Sequence, residues 1–232
     1  MGLANVLTLS QIAGHVILWI LSLCIIVPMS LHLHDFNGHC LLFATGTWRE
    51  DDGLFNANWA STGFCNFPIV TGVVLFLVSS IQIYRYARLI YKEEETSFLG
   101  LFVDVVSGIN MFAMAIISAI MITLGFIVWC SDMTQRFPSC EVAAGQNITR
   151  EEEKINTSGF YIEMGTAQFG AWGSFAITVG IAVISLLKLI NNHQIMNMKV
   201  SMYLERQRLF NEDAQNTSDG RTTPPVVKAD NE

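Results

Sequence analysis

The chain has 232 residues, 51% of them hydrophobic and only 14% charged. Soluble domains carry about 25% charged residues, so this composition suits lipid rather than water. A net charge of −7 excludes the basic surface that nucleic acid rewards.

Residues 1–11 form a short leader without Lys or Arg. The first apolar run, IAGHVILWILSLCIIVPMSL at 12–31, has the length of a membrane span. A cleaved signal peptide would need a basic start and an Ala-x-Ala-like site. Both are missing here, so the run reads as a retained helix.

The next stretch, HLHDFNGHC at 32–40, concentrates side chains that bind zinc or copper. Zinc sites nonetheless need ligands converging at fixed spacing. His32 and His34 are two apart, His39 follows the turn marked by Asn37-Gly38, and Cys40 is a disulfide candidate. The favoured reading is an interfacial helix end turning into a loop, with no metal. That loop, 32–66, also contains Trp48 and Trp59.

Three further spans follow: 67–84, 98–129 and 165–190. The third is long enough to tilt in a bilayer or extend past it. Between the second and third lies a short charged hairpin, 85–97, with Arg85, Arg88, Lys92 and Glu93–Glu95. A second long loop, 130–164, separates the third and fourth. After 190, Ile195, Met198, Met202 and Leu209 recur at helical spacing with Lys199, Arg206 and Arg208 between them. This predicts a juxtamembrane helix over 191–210 on the membrane surface. Residues 211–232 are polar and proline-bearing, which predicts a disordered tail.

Lys and Arg accumulate in the 85–97 hairpin and after 190, which places both termini in the cytosol and the two long loops outside. Cysteine placement agrees. Cys24 lies within the first span, while Cys40 and Cys65 share one loop and Cys130 and Cys140 the other. Even counts in outside loops suggest disulfides. Three pairings are possible; Cys40–Cys65 with Cys130–Cys140 is preferred because each closes its own loop. Sequons at Asn147 and Asn156 fall in the second loop, marking it for glycosylation; a third at Asn216 lies in the tail.

Ionisable groups inside a bilayer are costly and stand out. Asp104 is expected to pair with Arg85 or Arg88 across the hairpin, and Asn110 to hydrogen-bond a neighbouring helix. His15 lies near the inner end of the first span. Small residues at Ala167/Ala171 and Gly170/Ser174 permit close helix approach, either inside the bundle or as a docking face for a partner. No Ser-His-Asp, paired-carboxylate, HExxH or phosphate-loop pattern stands out, so neither an enzyme nor a cofactor is expected.

HDFNGHCLLF with GTW at 46–48, WCSDMTQRFPSCE at 129–141 and AQFGAWGSF at 167–175 resemble the transmembrane protein 179 family over about residues 1–190. The layout is also similar to the wider claudin-like tetraspan group. That similarity implies an all-α four-helix transmembrane bundle with disulfide-pinned extracellular loops, the first folded as a small β-sheet. It implies no catalytic residues. The expected function is an accessory subunit, in the bilayer, of a larger channel, receptor or adhesion complex, with Trp48, Trp59 and the small-residue helix face as partner contacts. The rivals are a self-assembling junction or pore protein and a small transporter or enzyme. The expected membrane is the plasma membrane.

Overall fold

A computed structural model describes residues 3–92, 98–146, 148 and 155–219. The elements run α1 (Leu3–Asp35), β1 (Cys40–Trp48), β2 (Phe55–Ala60), α2 (Gly63–Lys92), α3 (Phe98–Met133) and α4 (Phe160–Asp219). All four helices contain stretches long and apolar enough to cross a membrane. The chain divides into two compact units, Met1–Lys188 and Leu189–Glu232.

In the first unit the helices form an antiparallel ring in chain order. Small residues set the spacing. Gly72 of α2 packs on Ile26 and Ser22 of α1, and Gly14 of α1 meets Ile181 of α4. Gly108 of α3 lies against Ala182 of α4. Aromatic pairs fill the wider gaps: Trp19 stacks on Phe76, and Phe112 meets Phe175. Inward positions recur every three or four residues, as in α3 at Leu101, Asp104, Gly108, Met111 and Ala115, which is the signature of helices packed along one stripe.

α1, α2 and α4 outrun their predicted spans at both ends and α3 at one. α1 includes the leader from Leu3, and α3 continues four residues past Trp129. Hydropathy marks the part suited to lipid, whereas a helix continues for as long as its backbone bonds and neighbours sustain it. The predicted disorder over 211–232 needs the same correction in part: α4 is helical to Asp219. Once the preceding turns exist, adding polar residues carries no new nucleation cost. Residues 220–232 lie outside the described residues, as do Glu93–Glu95 and Asn147.

The second unit comprises the last turns of α4. Met196, Met198, Val200, Met202 and Leu204 are all exposed there. Residues 191–210 are helical throughout.

β1 and β2 form a two-stranded antiparallel sheet with Thr45 opposite Asn58 and Thr47 opposite Asn56. The register is irregular between Cys40 and Thr45, and Phe43 has φ 64°, a left-handed conformation uncommon for a bulky residue. The irregularity breaks the usual alternation. Leu41, Leu42 and Ala44 are all buried, and Leu42 wedges against Gly125 of α3.

Candidate functional site

Two regions concentrate the polar chemistry, one at each end of the four-helix unit. At the sheet end, the HLHDFNGHC stretch ends α1 and turns the chain. The N–H of Gly38 donates to the carbonyl of Leu33 at 2.7 Å, and that of Asn37 to His34 at 3.1 Å. Asn37 has φ 51°. This bond pair around a left-handed residue is a Schellman motif, which satisfies the orphan carbonyls of the helix end.

The three histidines then part company. His34 is exposed beside Asp35, and His39 stacks on Trp59 with centroids 5.1 Å apart. His32 is buried, and its Nε2 accepts from the Leu41 N–H at 3.3 Å. An accepting Nε2 is unprotonated, so a neutral ring holds its proton on Nδ1. That nitrogen faces Oε2 of Glu163 across 4.0 Å. The cluster's role is thus to close α1 and seat β1.

Both disulfides have the preferred pairing. Cys40–Cys65 ties the start of β1 to the first turn of α2, and Cys130–Cys140 ties the end of α3 to the following loop. Between them lies an aromatic core around Trp129, whose ring contacts Phe55, Trp59, Phe160 and Phe36 with centroids 5.5–6.5 Å apart. Asp132, about one turn beyond Trp129 on α3, fastens the sheet from below. Its Oδ2 accepts from the Gly46 N–H at 2.9 Å, and its carbonyl accepts from Trp48 Nε1 at 3.0 Å. Arg136 lies over the Trp48 ring and donates to the Gly53 carbonyl.

Trp48 and Trp59, expected as partner contacts, are therefore half-buried members of this core. What the sheet leaves exposed is the opposite face: Thr45, Thr47, Asn56 and Asn58. Strand alternation dictates the division, because successive side chains point to opposite faces. Asn156 is also exposed, and its Oδ1 accepts from the N–H and hydroxyl of Ser158, the third residue of its sequon.

At the far end all four helices contribute to a buried polar knot. Asp104 of α3 accepts from Arg85 at 2.7 Å and Gln82 at 3.0 Å on one oxygen, and from the Tyr86 hydroxyl at 2.9 Å on the other. Lys188 of α4 lies over the Tyr86 ring, 5.2 Å from its centroid, and donates to Gln11 and Thr8 of α1. Gln11 in turn donates to Ser185 of α4 at 2.9 Å. His15 completes the layer, its ring 6.0 Å from that of Tyr86.

The expected Asp104 pairing is present with Arg85. Arg88 does not share it: it is exposed, because three residues of helix carry it 60° past Arg85 on the side away from Gln82 and Tyr86. Asn110 needs a larger correction. It is exposed on α3 and bonds no neighbouring helix among the described residues, since the inward stripe passes through Gly108 and Met111 instead. Gln11, Gln82, Tyr86 and Lys188 are knot members that the sequence reading missed. Their signal was spacing: Gln11/His15 and Gln82/Tyr86 are each four apart, one turn of one face.

The small-residue face of α4 takes the first of its two readings, packing inside the bundle. Ala167, Gly170, Ala171 and Ser174 are all buried. A Cβ on Gly170 would stand 2.9 Å from that of Cys24 and 3.0 Å from the Leu21 carbonyl oxygen. Gly170 thereby seats α4 closely on α1.

No solved structure matches the chain. The model of the Transmembrane protein 179/179B Claudin domain matches residues 7–210, spanning the helices, the sheet and both cystine loops just described. The chain accordingly belongs to the transmembrane protein 179/179B claudin-domain family.

Proposed function

We propose that this tetraspan protein is a non-enzymatic accessory subunit of a larger membrane complex, a channel, receptor or adhesion protein. The sheet end faces the outside of the plasma membrane, and both termini lie in the cytosol. The observation that carries the reading is the division of labour in the sheet. Its inner face is locked by Asp132, Trp129 and two disulfides, while its outer face presents Thr45, Thr47, Asn56 and Asn58. A rigid polar face on a cross-linked frame favours recognition, because little ordering entropy remains to be lost on binding. The polar knot supports the same reading from the other side: Asp104 bonds Arg85 of α2 while Lys188 of α4 bonds Gln11 and Thr8 of α1, which suits holding the bundle together.

The test is to purify the tagged full-length protein in mild detergent, size it on a native gel and identify what co-purifies by mass spectrometry. A stoichiometric larger membrane protein is expected, and it should be lost in a Thr47→Arg/Asn56→Arg double variant that still folds. A particle containing only this chain, or one indifferent to that variant, sinks the accessory reading. Orientation is checked separately: a glycosidase-sensitive shift abolished by Asn156→Gln places the sheet end outside.

A further inference from the structure

We propose that α3 pairs with α3 of a second copy of this chain through Asn110, forming a twofold dimer within the membrane. Asn110 is the only exposed amide in the apolar stretches 12–31, 67–84, 98–129 and 165–190. Its side chain hydrogen-bonds none of the described residues. It lies six residues along the helix from Asp104, about 9 Å of rise, on the side of the knot toward the bundle's middle. An amide exposed to hydrocarbon without a partner is expensive, since lipid tails offer neither donor nor acceptor. Some other group must meet it.

The chemistry of the side chain selects a second copy. An asparagine amide carries both a donor and an acceptor, so two of them are mutually complementary. A twofold axis along the bundle brings Asn110 opposite itself at the same depth, and both amides are satisfied by one symmetric contact. A different partner would need a matching polar group at that depth.

The surrounding face fits the same arrangement. Val103, Val106, Asn110, Ala113, Ile117 and Ile120 follow alternating steps of three and four, and all but the half-buried Ala113 are exposed. A single asparagine in a stripe of this spacing specifies register and oligomer state, and Ala113 lets the backbones approach. The other helices also carry outward apolar faces at this spacing, which lipid can cover. Only the α3 face holds an amide.

This inference stands independently of the accessory-subunit reading. To test it, donor- and acceptor-labelled copies of the full-length protein are mixed in phosphatidylcholine vesicles, and energy transfer is followed as the protein-to-lipid ratio is lowered. The wild type is expected to dimerise. Asn110→Leu should weaken the dimer by about 3- to 30-fold, the range set by an interhelical hydrogen bond, while Asn110→Gln retains it. Thermal unfolding of Asn110→Leu reports whether the fold survives, as an exposed position predicts. In parallel, Asn110→Cys on a Cys24→Ser background should cross-link to itself under mild oxidation, and Phe169→Cys, exposed on α4, should not. A monomeric wild type, an unchanged dilution curve for Asn110→Leu, or equal cross-linking at both positions overturns the proposal. So does cross-linking of Asn110→Cys in cell membranes to a different protein in place of a second copy.

Discussion

Two glycines on α4, ten residues apart, make opposite predictions for the same substitution. At Gly170 an added methyl would meet Cys24 Cβ at 2.9 Å, the Leu21 carbonyl oxygen at 3.0 Å and the Cys24 carbonyl carbon at 3.1 Å. Carbon atoms in comfortable contact sit about 3.5–4.0 Å apart. Two of the three neighbours are backbone, which cannot swing aside, so α1 and α4 must move apart by several tenths of an ångström. Such overpacking costs about 1–3 kcal/mol. At Gly180 nothing lies within 4 Å of the added carbon. Both variants share the helix-propensity gain of alanine over glycine, about 1 kcal/mol. That common gain cancels in the comparison, so Gly170→Ala should be less stable than Gly180→Ala by about 1–3 kcal/mol. The assay is unfolding of the purified protein in mixed micelles of increasing denaturing-detergent fraction, read by loss of tryptophan signal. Equal midpoints for the two variants would refute the close α1–α4 seat and reopen the Gly170 face as a surface for partners.

Further outcomes follow from the knot and the sheet end. Asp104→Asn leaves Arg85 without its carboxylate and should destabilise by about 3–5 kcal/mol in the same micelle titration; Arg88→Met, exposed and outside the knot, should change it by less than about 0.5 kcal/mol. His32→Phe keeps a ring beside Phe36 but strands the Leu41 N–H, at a cost of about 1–3 kcal/mol, with faster hydrogen exchange at the Leu41 amide as the local readout. Replacing both cysteines of a pair by alanine should hurt more for Cys40–Cys65, separated by 25 residues, than for Cys130–Cys140, separated by 10. Chain entropy assigns them about 3.5 and about 2.7 kcal/mol; thermal unfolding in the reverse order would count against that account.

Hydropathy and cysteine placement were enough to determine the four helices, their order and the two cystine loops. Each depends on properties a residue has wherever it sits: apolarity over a span's length, or the proximity of two thiols along the chain. Asp104 was legible because a lone carboxylate in an apolar run demands a cation and Arg85 and Arg88 lie across a short hairpin; packing chose Arg85. The rest turned on which way each helix faces. Rotation about the axis decided that Asn110 points out, that Gly170 and Ser174 point in, and that Lys188, adjacent to none of its partners in sequence, closes a network with Gln11 and Tyr86. The same holds for the sheet, where an irregular register at Phe43 turned three of four neighbouring residues inward and left Thr45 and Thr47 outside. A sequence carries the periodicity of a face. Only packing against the other helices chooses its direction, because that choice is made by groups more than a hundred residues away.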